Sequence, residues 1–189
     1  MPDMNTPKST DDRPGATTAF RLARRRFVAG ERIDMQVLAA DLGVDRSTLF
    51  RWVGNRDKLV VDILISLTDP TLKLAVDKAA GSGGARIADV AGEYARTLVE
   101  ADFFHTFVRR EAERSLRLLT SRASPMQGYV VSWFERLLEE EQLTHPMALH
   151  DLAYLIVRII ESFVYADMII GEEPDPDKVR AAIAALLHT

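Results

Sequence analysis

The stretch Asp34 to Lys58, DMQVLAADLGVDRSTLFRWVGNRDK, constrains the chain most, because it reads as two short helices joined by one glycine turn. Val37, Leu38 and Leu42 recur at helical spacing in the first helix, and Gly43 just past its end tolerates positive φ. Asp45 is placed to cap the next helix, Arg46 to Val53, through its side-chain oxygen. Leu49 and Val53 lie four residues apart on one face of that helix, which leaves Arg46, Ser47, Phe50 and Arg51 pointing elsewhere. This is the layout of a helix-turn-helix, whose second helix enters the major groove of DNA.

The net charge of −4 argues against a polyanion as partner, but its distribution reverses the inference. From Arg13 to Lys58 there are ten basic and five acidic residues, a net of +5; from Leu59 to Thr189 there are thirteen basic and twenty acidic, a net of −7. A basic head on an acidic body is the footprint of a protein that docks on DNA by one end. Within the head, Arg24-Arg25-Arg26 reads either as a solvated helix face or as a phosphate contact.

The run Thr48-Leu49-Phe50-Arg51-Trp52-Val53 followed by Asn55-Arg56-Asp57-Lys58-Leu59, with Ala39, Gly43 and Val44 one turn earlier, resembles the signature of the TetR family of transcriptional regulators. The longer string FRLARRRFVAGERIDMQVLAADLGV, with RWVGNRDKL, is similar to the QsdR-like branch, whose members regulate degradation of lactone quorum-sensing signals and related γ-lactones. The resemblance is specific over residues 19–60 and architectural beyond them. It implies that Gln36 and Arg46 read bases and that Thr48, Trp52 and Arg56 position the DNA backbone; Ser47, Phe50, Arg51, Asn55 and Lys58 complete the expected DNA surface. Two departures stand out. The connection from Phe27 to Gly43 is shorter than the family's usual one and Asp34 stands where a Thr or Ser cap is common, which implies an altered angle between the first two helices; and Phe50 replaces a tyrosine, removing a hydroxyl that would bond phosphate.

The remainder reads as helix throughout: a long rod from Arg56 to about residue 80, a Gly81-Ser82-Gly83-Gly84 break, then helical patterns over roughly 85–100, 102–107, 109–120, 125–142, 148–170 and 177–187. The expected fold is therefore all-α, a three-helix N-terminal head with a helix-turn-helix and a six-helix C-terminal domain for ligand binding and dimerisation. The boundaries expected are a disordered arm over 1–15, rich in Pro, Asp, Thr and Ser, a DNA-binding head over 16–60 and the body over 61–189.

The helix over 148–170 carries two stripes. Leu152, Ile156, Ile160, Phe163 and Asp167 form one too apolar to face water, which predicts a dimer interface of the four-helix kind together with the helix over 125–142, or else interior core. Tyr154, Arg158, Glu161 and Tyr165 form the other. A buried Arg–Glu pair costs several kcal/mol of desolvation unless both partners are bonded, so its presence points to ligand recognition or to a satisfied structural pair. Phe104, His105, Phe107, Met126, Tyr129 and Trp133 are the further candidates for walls of a small-molecule pocket.

Other chemistries find little support. There is no cysteine, no GxSxG, P-loop, GxGxxG or HExxH, and His105 has no partner at metal spacing, so no catalytic residues, metal or cofactor are expected. Glu111, Glu113 and Glu139-Glu140-Glu141 read as solvated helix faces. Three charges between Leu152 and Ile170 argue against a membrane span, and a cytoplasmic location is expected. The leading expectation is a homodimeric repressor of a two-fold-symmetric DNA operator, released by a small apolar effector such as a γ-lactone or N-acyl homoserine lactone and controlling lactone catabolism. A TetR-type regulator of multidrug efflux or lipid metabolism, a DNA-binder without ligand, and a pure dimerisation module are the alternatives.

Overall fold

The computed structural model describes residues 14–121 and 124–188; all but the last two residues of the expected N-terminal arm lie outside them. Eleven helices and no strand occur among the described residues: α1 (Ala16–Val28), α2 (Met35–Asp41), α3 (Arg46–Val53), α4 (Arg56–Lys78), α5 (Gly83–Glu100), α6 (Asp102–Arg110), α7 (Ala112–Thr120), α8 (Pro125–Glu140), α9 (Leu149–Val164), α10 (Ala166–Ile169) and α11 (Pro176–Leu187).

Side-chain caps set many of these starts. Asp34 accepts from the N–H groups of Gln36 (2.7 Å) and Val37 (3.2 Å), Asp45 from that of Thr48 (2.7 Å), and Asn55 from that of Lys58 (2.8 Å). Each such cap stabilises its helix by about 1 kcal/mol. Gly43, at φ 64°, makes the turn between α2 and α3 in a conformation that a side chain would strain. Ser124 and Asp175 cap α8 and α11, each followed by proline at the first helical position.

α1, α2 and α3 pack into the head around Ala23, Phe27, Leu38, Leu49 and Val53. Val37, expected inside, is half exposed, so Leu38 and Ala39 carry the core face of α2. α4 runs from the head into the body, burying Leu59, Val60 and Ile63 near one end and Leu72 and Ala75 near the other. In the body α5 lies along α11, and α8 pairs with α9. The contact of α5 with α11 is close because position 92 is glycine: a Cβ there would sit 3.0 Å from that of Arg180.

The helix expected over 148–170 is instead two. It breaks at Tyr165, whose buried ring turns inward, and α10 restarts at Ala166, so the body holds seven helical segments after α4. A second break falls at Glu111 (φ −136°, ψ 57°) between α6 and α7, three residues later than the gap in the sequence pattern. No helix among the described residues is long and apolar enough to cross a membrane.

Candidate functional site

The outer face of α3 is polar, exposed and pre-ordered. Asp45 accepts from the Ser47 hydroxyl (2.6 Å) and the Thr48 hydroxyl (3.1 Å) as well as from the Thr48 amide. These bonds, the Ser47 hydroxyl first, hold its carboxyl down at about 2. Arg51 donates to Thr48 Oγ1 (3.2 Å). Gln36, Arg46, Ser47, Phe50, Arg51, Asn55 and Lys58 are exposed, and Thr48 and Trp52 half-buried. Phe50 is an isolated 57 % exposed aromatic on this face, where core packing cannot account for it.

Arg56 does not belong to that surface. Its Nη1 and Nη2 donate to the two carboxylate oxygens of Glu111 (2.7 and 2.5 Å), and its Nε to the Ile33 carbonyl (2.7 Å). With three of its five N–H groups bonded inside the protein and the side chain only 16 % exposed, it is committed to this joint and not presented on the α3 surface, which corrects its expected role. Arg56 clasps the start of α4 to the α6–α7 break. Beside it Arg114 donates to Asp57 (2.6 Å), and Arg32 adds a weaker contact to Glu111. Arg56, more than any other neighbour, keeps the Glu111 carboxyl below the usual carboxylate range. Glu111, read from sequence as a solvated carboxylate, is thus the centre of the joint between head and body.

The arginine triplet is divided likewise. Arg24 donates to Ser66 of α4 (3.2 Å) and Arg26 pairs with Asp41 of α2, so Arg25 alone of the three is exposed. Glu141 also departs from its expected role. It accepts from the Gly83 amide (2.7 Å) and Arg86 (2.6 Å) and so secures the start of α5, whereas Glu113, Glu139 and Glu140 are exposed.

Inside the body is a cavity of about 210 Å³, bounded by α4, α5, α6, α8 and α9. Its walls are mostly apolar, among them Leu67, Leu98, Phe104, Met126 and Val130, and Pro70 borders it where α4 loses one backbone hydrogen bond. Polar atoms gather at one side: Thr68, Tyr94, Gln127, Glu161 and Tyr165. Burial pushes the Glu161 carboxyl up to about 7, against the opposing pull of Arg158 and Gln127. Tyr94 is pushed up to about 12 by burial, which the Thr68 hydroxyl beside it opposes, and burial likewise raises Tyr165 well above the usual phenol range.

Of the residues expected to line a pocket, the structure brings together Phe104, Met126, Glu161 and Tyr165. The others lie elsewhere. His105 donates from Nε2 to the Val99 carbonyl (2.6 Å); Phe107 packs its ring 5.1 Å from that of Phe27 in α1; the Tyr129 hydroxyl donates to Asp69 (3.2 Å); Trp133 stacks edge-on to Phe134. Tyr154 is 44 % exposed on the outer face of α9, and Arg158 stands outside the cavity, its Nη1 2.5 Å from Glu161 Oε2. Gln127 was missed because a single glutamine in an amphipathic helix carries no signal of its own.

The apolar stripe of α9 is corrected too. Leu152, Ile156 and Ile160 are buried within one chain, packed into its own core, so they cannot meet a second copy; Phe163 is half-buried. The faces that α8 and α9 turn outward instead carry Gly128, Ser132, Asp151 and Tyr154, along a shallow groove. Small and polar residues there escape a search for hydrophobic periodicity.

A family model for the tetracyclin repressor-like C-terminal domain matches residues 82–188. Among solved structures, that of the R. erythropolis transcriptional repressor QsdR, from the TetR family, superposes with a TM-score of 0.83 at 31% identity, covering 95% of this chain and 96% of that one. The TetR family repressor AlkX from Dietzia sp. strain DQ12-45-1b, implicated in biodegradation of n-alkanes, matches with a TM-score of 0.62 at 20% identity, covering 92% and 95%. That second likeness is one of fold alone. No curated protein matches the sequence.

Proposed function

Because the chain belongs to the TetR family of transcriptional regulators, we propose that it is a QsdR-like repressor, a homodimer that binds a two-fold-symmetric operator and leaves it when a small lactone enters the body. Residues 16–60 act as the DNA-binding head and 61–189 as the ligand-binding and dimerisation body. The observation that carries this reading is the apolar cavity with one polar side, bordered by the same helix that grips the head. α6 presents Phe104 to the cavity and Phe103 and Phe107 to Phe27 of α1, while its C-terminal break holds Arg56 through Glu111. A ligand that displaces α6 therefore changes the seat of the head, and only differential affinity for the two arrangements can shift the balance between them.

Gln36, Arg46, Ser47 and Arg51 meet the operator on this reading, with Phe50 offering an apolar contact to a thymine methyl. The outward faces of α8 and α9, and not the stripe inside α9, form the dimer contact. The effector is a γ-lactone or an N-acyl homoserine lactone, and the regulated genes serve lactone catabolism. A fluorescence-anisotropy titration of labelled DNA from the region upstream of its own coding sequence, with and without a lactone series, tests the reading. Binding with two-fold protection that lactones reverse is expected. Release by planar cationic drugs and by no lactone would assign the chain to the multidrug-efflux type of regulator instead.

A further inference from the structure

The polar side of the cavity has a composition that its apolar walls do not need. Gln127 and Glu161 are each only 8 % exposed, both border the cavity, and they come from different helices, α8 and α9. Gln127 leans towards Glu161 closely enough to favour its charged form, yet among the described residues Gln127 Nε2 and Glu161 Oε2 make no aligned hydrogen bond. The Arg158 guanidinium lies 2.5 Å from Oε2 but outside the cavity, and it is itself 43 % exposed. A buried donor left unmade costs about 1–3 kcal/mol, and Glu161 Oε2 has its one close charged partner, Arg158, outside the cavity, so both groups leave hydrogen-bonding capacity for a partner inside it.

We propose that Gln127 and Glu161 form the head-group subsite of the effector cavity, and that the effector it fits is a neutral molecule carrying a hydrogen-bond acceptor beside a donor, as in a secondary amide. The acceptor receives the Gln127 Nε2 amide hydrogen, and the donor gives its hydrogen to Glu161 Oε2. This rests on the proposed effector function and sharpens it: of the two lactone types, the one with an acyl amide satisfies both groups, whereas a simple lactone supplies acceptors only. Charged heads are disfavoured in both signs. A carboxylate would face Glu161, and an ammonium would face a carboxylate whose charge Arg158 already balances from outside, so the pair sums to zero charge and leaves no countercharge for a buried ion. Size sets the tail. A cavity of about 150 Å³ suffices for benzene, so 210 Å³ takes an amide with short alkyl arms and not a long acyl chain.

A matched pair of probes isolates the donor. N-propylpentanamide and propyl pentanoate have the same shape and differ by one N–H in place of an ester oxygen. Calorimetric titration of the full chain near pH 8, with the Glu161 carboxyl ionised, should show the amide binding about tenfold more tightly than the ester, and octanoate and octylammonium more weakly than either. Gln127→Met should weaken amide and ester alike. Glu161→Met should abolish the preference between them while leaving ester binding in place. Gln127→Met removes an unbonded donor and Glu161→Met frees only a 43 % exposed Arg158, so thermal melting should show both variants folded. Equal binding of amide and ester by the wild-type chain, or an amide preference that survives Glu161→Met, overturns the assignment. A parallel anisotropy assay on the DNA complex separates the two readings. Amide preference without release from DNA would sink the effector reading and leave the subsite; release by simple lactones without amide preference would do the reverse.

Discussion

Replacing Glu161 by glutamine removes the one acidic group among the described residues that burial pushes towards its neutral form. The carboxyl is raised from 4.5 to about 7 by burial, with Arg158 on its own helix and Gln127 on α8 pulling the other way, and with Tyr94 of α5 and Tyr165 as its phenolic neighbours. Between those two values the native state binds more protons than the unfolded state, so unfolding free energy falls as pH rises through this window. A displacement of about 2.5 pH units corresponds to roughly 3 kcal/mol, present in full below about pH 4.5 and lost by about pH 8. Glu161→Gln keeps the shape and takes away the titration. Urea unfolding at fixed protein concentration, measured from about pH 5 to about pH 8, should give a wild-type stability that declines by some 2–3 kcal/mol more than that of the variant. The variant should be the more stable of the two at the alkaline end. Parallel curves for the two proteins would show that Glu161 keeps an ordinary carboxylate affinity for protons, and the account of a desolvated, underbonded carboxyl would be wrong.

Other outcomes follow from the head, the joint and the core. Arg46→Ala should lower operator affinity by roughly 1–3 kcal/mol and relax preference at one base pair, seen in anisotropy titrations against single-base variants of the site. Arg56→Ala should leave Glu111 half-buried without its bidentate partner and reduce stability by about 1–3 kcal/mol in thermal or urea unfolding, whereas a mere flattening of the salt dependence of DNA binding would restore it to the DNA surface. Ile156→Ala should cost about 2–5 kcal/mol of protomer stability, because the side chain is fully buried within one chain; a split dimer of unchanged stability in sedimentation would return it to the interface.

Legibility followed the range of the interactions involved. The head was readable because its signals are local: Asp45 caps its helix through an amide three residues away, Gly43 sits at the turn, and Leu49 and Val53 face inward as their spacing implies. The all-α body was readable for the same reason. What periodicity could not decide was which of two buried environments an apolar stripe faces, so Ile156 and its neighbours read as an interface when they are core. The break at Tyr165 was hidden because a buried aromatic continues an apolar pattern whether or not the helix continues. Arg56 and Glu111 lie 55 residues apart, and no sequence spacing announces that their charges meet. The cavity was half legible. Phe104, Met126, Glu161 and Tyr165 were found by residue type, while Gln127, Thr68 and Tyr94 are brought there by the packing of α4, α5 and α8.

The cavity's role as the switch is tested most directly by filling it. Val130→Phe adds an aromatic ring where α8 borders the cavity and leaves every residue of the α3 surface and of the Arg56–Glu111 joint untouched. Anisotropy of the labelled operator, titrated first with protein and then with a short-chain N-acyl homoserine lactone, should show the variant binding DNA as the wild type does but resisting release, its half-effective ligand concentration raised at least about tenfold, or some 1.4 kcal/mol of lost ligand affinity. Release of the filled variant at the wild-type ligand concentration would contradict the central claim, since the ligand would then act somewhere other than this cavity.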